Sequence, residues 1–417
     1  MKKLISMLLV SAMSLSLVAC GGAKEETATT ETPAATTETA EATTETAEVE
    51  VQDVTLKVWA PEVDQRDENS WINVMLPKFE EAHPEYNITW DVGVCGEGDA
   101  ATFVKNDPAA AADVFFYAND QMGTLVEAGA LAKLGGSYLE TVQANFSQIH
   151  VDLLTYTDGA VYGFPTSPNT WFMWYNKEVF TEEDITNIGT MLEKGVVSFP
   201  MDNSWYTGSF FFGAGGTVFG PLGNDAAAGY MAEMVKSPNF VNDVDGSGVA
   251  GMKEGTVHAM FSGDWDKPAL EEALGENLGC AVLPKFTMDG TDYQMKSFAG
   301  NKAVGVNPNA ANPKAAMELA AFLTSPEALL ARYELSGYTP AATACTEEEV
   351  IKANPTVIVL NDQMANCAIV QPVIAEMSAF WDPVKNFGLN ILNGSITADN
   401  AEQMILDTME LLNSTGL

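Results

Sequence analysis

Four aromatic sites in this 417-residue chain sit among carboxylates and amides instead of apolar runs. Tyr117 precedes Ala118-Asn119-Asp120, and Trp205-Tyr206 follow Asp202-Asn203-Ser204. Trp265 lies between Asp264 and Asp266, and Trp381 is followed by Asp382. A flat ring in such company can stack on the C–H face of a sugar while neighbouring oxygens and amides bond its hydroxyls. One such ring alone reads more simply as a core residue near a turn. Four of them at strand ends or loops point to a carbohydrate surface, with the rings facing one another across a gap. The chemistry is binding, not cleavage. The chain has no Gly-x-Ser-x-Gly, no His-Glu-x-x-His and no phosphate-cradling glycine motif. Among 57 Asp plus Glu, no pair is singled out by spacing as a glycosidase couple.

The elements that must position these rings alternate. Residues 55–60 read as a strand, 71–83 as a helix and 86–92 as a strand. Residues 113–117 form a short, continuously apolar run, the pattern of a strand covered on both faces. Residues 122–132 read as helix, and 161–177, 280–284 and 303–306 are strand-like. Such alternation predicts an α/β architecture with mainly parallel sheets. Asn312-Pro313 and Ser325-Pro326 open two helices, the second stopping at Gly337, and Thr397 caps the last one.

Five segments resemble the maltose/maltodextrin-binding proteins, extracellular solute-binding proteins that serve ABC importers. They are 114–123 with 125–131; Gly163-Phe164-Pro165 with 174–178; 255–260 through Trp265; 281–284; and Met377-Ser378-Ala379-Phe380-Trp381, the closest match. Together they span the folded part. The resemblance implies a two-lobed periplasmic-binding-protein-like fold, each lobe a mainly parallel sheet flanked by helices. The lobes would be 53–166 plus 300–338 and 167–299 plus 339–417. The chain would pass between them near Ser167, Ala299 and Tyr338. The ligand would lie where strand carboxyl ends from both lobes meet.

Carried over position by position, Tyr117 replaces a stacking tryptophan, Asp120 keeps a hydroxyl-binding aspartate, and Gln121 replaces an arginine. Asn169 and Asn203 stand where the family has glutamates. Trp205 stands at a stacking tyrosine with Tyr206 beside it, and Trp265 and Trp381 keep two further platforms. Glu62, Asp64 and Gln65 follow the first strand, where that lobe supplies polar contacts. The implied function is the solute-binding subunit of an ABC carbohydrate importer. It would bind malto-oligosaccharides by hinge closure and act as a monomer with membrane permease subunits, without catalytic residue, metal or cofactor. A different oligosaccharide, such as a xylo-series ligand, is the alternative within the family. A glycan-degrading lipoprotein is the alternative outside it.

Charge and the N-terminus fix the setting. A formal charge of −37 repels phosphate backbones and argues against nucleic acid. Lys2 and Lys3 precede an apolar stretch at 4–18 that is short for a membrane span. It ends in Leu17-Val18-Ala19-Cys20-Gly21-Gly22, which resembles a bacterial lipobox. Residues 1–19 are thus expected to be a signal peptide, and Cys20 a lipidated anchor on the extracellular face of the cell membrane. Residues 20–52 would be a tether. Its 23–50 stretch, with eight Glu against one Lys and no aromatic, cannot bury enough apolar area to order itself. Residues 243–254 fit calcium-loop spacing, but Pro238, Gly251 and Gly255 weaken the helices such a loop needs, and the family resemblance implies a turn before a short helix with the serine as its cap. Sequence leaves open whether Cys345 and Cys367 pair.

Overall fold

The computed structural model describes residues 51–414. The expected signal peptide, Cys20 and the tether as far as residue 50 lie outside them. Among the described residues no helix is long and apolar enough to cross a membrane.

The chain opens with β1 (Gln52–Ala60), whose alternate residues Val54, Leu56, Val58 and Ala60 are buried. It runs parallel to β2 (Tyr86–Val94) on one side and β3 (Val114–Ala118) on the other. β3 is buried at every residue, as its unbroken apolar run requires of a strand covered on both faces. β4 (Phe164–Asn169) completes the outward part of the first sheet. Two residues later β5 (Phe172–Asn176) starts the second sheet, followed by β6 (Val197–Phe199), β7 (Phe240–Asn242), β8 (Ala259–Ser262) and β9 (Leu278–Ala281). That sheet has the order β7-β6-β8-β5-β9. After a hairpin of β10 (Lys285–Met288) and β11 (Thr291–Gln294), the long β12 (Ser297–Val306) returns to the first sheet. It pairs antiparallel with β3 and β4, and parallel with β13 (Ala368–Val370). In the second sheet β6 is parallel to β7 and β8, while β5 is antiparallel to β8 and β9. Both sheets are therefore mixed: the strands carrying the chain between them run against their neighbours, except that β12 is parallel to β13.

Each sheet has its own hydrophobic core, and the fold is a two-lobed α/β. Leu56, Trp71, Phe79, Phe115, Phe116 and Leu319 belong to the first core. Trp171, Phe199, Phe210, Phe261, Phe380 and Phe387 belong to the second, and a smaller cluster around Trp174 flanks it. Within β12, Phe298 packs in the second core and Ala303 in the first, so this strand is itself a passage between lobes. Past Tyr338 the chain does not pass over at once. Ala341, Ala342, Cys345, Ile351 and Val357 still pack in the first core, where the Cys345 thiol donates to the Pro326 carbonyl at 3.1 Å.

The local punctuation follows the residue chemistry. Ser325 Oγ accepts the Ala328 N–H at 3.2 Å, and the helix it caps ends at Gly337, whose φ of 80° suits only glycine without strain. The last helix starts later than its threonine implies. It runs Ala401–Ser414, and Thr397 N–H donates to Asn400 Oδ1 at 2.7 Å in the preceding turn. Residues 243–254 form a capped turn into the helix Ser247–Glu254. Asp243 Oδ1 takes the Gly248 N–H at 2.9 Å and Ser247 Oγ at 3.2 Å, so aspartate rather than serine caps it. Cys95, Cys280, Cys345 and Cys367 are all free thiols.

Candidate functional site

A cleft of about 690 Å³ opens where the strand ends of the two sheets meet, and its two walls differ in chemistry. The second lobe contributes the rings. Trp205 is in the first turn of the helix Ser204–Gly213, where Asn203 Oδ1 accepts its N–H at 3.1 Å as N-cap. Trp265 follows β8 after Gly263. A Cβ at Gly263 would lie 1.9 Å from the Trp265 ring, so only glycine lets the indole fold back to the cleft. Trp381 lies in the helix Ser378–Leu392 and packs edge-on to Phe298 at 5.9 Å. All three indoles pack against the second core. Trp205 and Trp265 stack at 6.0 Å with planes 25° apart. The rings therefore do not face one another across a gap, as their sequence settings imply. They form one wall, because every element that carries them belongs to the same lobe.

The first lobe supplies charge and hydrogen-bonding groups. Asp120, just past β3, lines the cleft half-buried, and burial pushes its carboxyl up to about 7. Asn169, at the end of β4, lines it too. Glu97 Oε1 accepts from Arg332 Nη2 at 3.0 Å, and its carboxyl is held below the usual range. Burial alone would raise it, but the charges of Lys302 and Arg332 outweigh that. Asp266 closes the second-lobe side, its carboxyl raised by burial. Asp264 behind it is raised for the same reason and accepts the Thr339 N–H at 2.8 Å.

Of the residues singled out in the sequence, Asp120, Asn169, Asn203, Trp205, Trp265 and Trp381 share this cleft. Tyr206 turns instead toward Trp171, at 4.7 Å, and lines an adjoining recess of about 550 Å³ with Asp202, Asp243, Asp245 and Asp266. Five others face elsewhere. Tyr117 is 0% exposed and its hydroxyl donates to the Tyr162 carbonyl at 2.8 Å, so it is a core residue and not a stacking plate. Gln121 is turned inward: its Oε1 accepts the Ala101 N–H at 2.6 Å and its Nε2 donates to the Gly98 carbonyl, which fixes that loop. Asp64 is 0% exposed and paired with Arg332. Gln65 Nε2 donates to the Ala60 and Gly93 carbonyls at 2.7 and 3.0 Å. Glu62 is exposed and does not line the cleft. The turn at Glu62–Asp64 presents Val63 and Arg66 there instead.

Sequence reasoning also missed Glu97, Lys302 and Tyr338 in the cleft wall. Only Lys302 left a readable signal: a lone charge inside the run Ala299-Gly300-Asn301-Lys302-Ala303-Val304. A cluster of His83, Glu85 and Glu318 lies outside the cleft lining, where His83 Nδ1 meets Glu85 Oε1 at 3.1 Å and Lys314 meets Glu318 at 3.3 Å. These contacts make it a set of partly exposed polar pairs.

The sequence profile of the family described as bacterial extracellular solute-binding protein matches residues 75–358. A Streptococcus pneumoniae protein described as a maltooligosaccharide ABC transporter solute-binding lipoprotein is 25% identical, over 97% of this chain and 95% of its own. A Bacillus subtilis galactooligosaccharide-binding protein is 24% identical, over 98% and 96% respectively. One solved structure, described as being with acarbose, has a TM-score of 0.84 and 39% identity, and covers 87% of this chain and 100% of its own.

Proposed function

We propose, from the premise that this chain belongs to the bacterial extracellular solute-binding proteins, that it captures malto-oligosaccharides for an ABC importer. The observation that carries this reading is the asymmetric cleft. Three indoles on one wall suit the C–H faces of successive glucose units, and Asp120, Asn169 and Arg66 opposite suit their hydroxyls. The sugar would bridge the walls and favour a closed arrangement of the lobes by its extra contacts there. Gln121 and Tyr117 then act behind the site as supports. The malto-oligosaccharide named for the Streptococcus pneumoniae relative and the acarbose named for the solved structure favour this ligand class.

The second reading is a galacto-oligosaccharide, favoured by the Bacillus subtilis relative of nearly equal identity. Calorimetry with maltotriose and maltotetraose against galacto-, xylo- and cello-oligosaccharides decides between them. Heat with the malto series is expected. Heat confined to another series would reject the sugar assignment and keep the family. The relatives are binding proteins, and new reducing ends on incubation with starch fragments would overturn a purely binding role. Anchoring through Cys20 accounts for the lipobox-like Leu17–Cys20 segment. Replacing Cys20 by Ala should release the protein from cells into the medium, and retention on the membrane would reject the anchor.

A further inference from the structure

Tyr338 lies between two cations. The Arg332 guanidinium carbon is 4.1 Å from its ring centroid, and the Lys302 ammonium is 4.3 Å from it. The same ammonium stands 4.7 Å from the centroid of Trp265. Behind Arg332 lie Trp71 at 5.0 Å and Phe116 at 5.1 Å. The result is a column of alternating rings and cations that runs from the first core to the aromatic wall of the second lobe.

One link in that column joins the two sheets. The backbone of Lys302 is fixed in the first sheet, opposite Ala118 on β3 and Ser167 on β4. Trp265 is carried by the turn that follows β8 of the second sheet. Any rotation of one lobe against the other must change the distance between them. Lys302 is only 6% exposed. An ammonium so removed from water gains more from an aromatic face than an exposed one does. Its charge also offsets Glu97 on the first lobe and Asp264 on the second. Among the described residues no hydrogen bond ties the ammonium to another side chain, so rings and diffuse charge are what hold it.

We propose that Lys302 is a closure latch. It favours the closed arrangement by holding Trp265, and it sets ligand affinity through the closure equilibrium instead of through recognition of the sugar. This rests on the reading of the chain as a hinge-closing binding subunit. A ligand that binds the closed form has an affinity proportional to the closed fraction. Losing a contact made only on closure lowers that fraction, by the same factor for every ligand. Lys302 is in this sense a positioning residue.

The test is small-angle X-ray scattering on the ligand-free protein, with calorimetry on the same samples. Lys302→Met keeps the length of the side chain and removes the charge. It should expand the ligand-free protein and weaken each bound sugar about two- to thirty-fold, by one common factor. Lys302→Arg, which keeps a cation over the ring, should stay near wild type in both measurements. Lys302→Gln serves as the neutral variant if the Met variant does not melt cooperatively. Unchanged dimensions and affinity in a folded neutral variant would overturn the latch. So would tighter binding, since the ammonium would then be competing with sugar for the Trp265 face. If no sugar gives heat even with wild type, the malto-oligosaccharide reading fails, and scattering still decides the latch.

Discussion

Arg332 holds Asp64 with two nitrogens, Nη2 at 2.6 Å and Nε at 3.1 Å from Oδ2, and both side chains are at most 1% exposed. Ser336 Oγ adds a third bond to Asp64 at 2.8 Å, and Glu97 takes Arg332 Nη2 on its other side. The helix Pro326–Ser336 thereby fixes two first-lobe loops that reach the cleft, one ending at Arg66 and the other at Gly98. Arg332→Met would leave two buried carboxylates without this partner. Breaking a buried pair in this way costs about 3–5 kcal/mol. Urea unfolding should show that loss, together with weaker sugar binding from the loosened loops. A variant as stable as wild type would mean the pair is solvated in solution.

The aromatic wall makes a sharper claim. Trp265→Ala and Trp381→Ala should each weaken oligosaccharide binding by about 1–3 kcal/mol, the typical loss for a truncated aromatic anchor. Trp381 is the cleaner case, since among the described residues Lys302 lies over the rings of Trp265 and Tyr338 and not over that of Trp381. Calorimetric titration with maltotriose measures both. Retained affinity in the two variants would mean that the sugar lies elsewhere in the cleft.

Strand and helix punctuation carried most of the fold. The continuous apolar run became β3, and proline and glycine marked the helix Pro326–Ser336 at both ends. At the candidate site, the aromatic residues that reach the cleft are on a backbone whose direction is fixed by regular structure. Trp205, Trp265 and Trp381 lie in helical turns leaving the second core, so their type and their setting agree. Tyr117 illustrates the limit. It belongs to a strand covered on both faces, where a polar tip only needs a partner, and the Tyr162 carbonyl provides one. Asp64 was misread for a related reason: its buried partner Arg332 lies 268 residues away, and no local pattern announces so distant a pair. Lys302 reaches the cleft because the middle of β12 lies beside the turn that carries Trp265, a relation that exists only once both sheets are assembled.

Asp120 predicts a pH dependence. Its carboxyl is pushed up to about 7 by burial, against an ordinary value near 4. Between those values the folded state holds a proton that the unfolded chain has released. Its contribution to stability therefore falls as pH rises from about 4 to about 7, and then levels off. Sugar binding has the opposite sign. Hydroxyl donors favour the ionised carboxylate, so affinity should rise as pH climbs through about 7. Titrations from about pH 5.5 to about pH 8.5 should show this rise in wild type and a flat profile in Asp120→Asn. A rise that persists in the Asn variant would assign the effect to another group.

Gly300 offers a test of the passage between the lobes. A Cβ there would lie 2.6 Å from Gln371 Oε1, 2.7 Å from Asn119 Oδ1 and 3.0 Å from the Asn169 carbonyl oxygen. These neighbours differ in how far they can yield. Among the described residues Gln371 has no hydrogen-bond partner on either side-chain atom, so turning it breaks no hydrogen bond. Asn119 Oδ1 accepts the Asn301 N–H at 2.9 Å, and moving it would orphan a buried donor. The Asn169 carbonyl belongs to the ladder between β4 and β12. With two of the three neighbours fixed, Gly300→Ala should cost about 1–3 kcal/mol of stability, as overpacking does. The strain falls on the strand that connects the two cores, so sugar affinity should drop in parallel with stability. Urea unfolding and calorimetry on the same protein measure both. Unchanged stability would show that the passage is looser than its buried amides imply, and lost stability with full affinity would separate the strand's packing from closure.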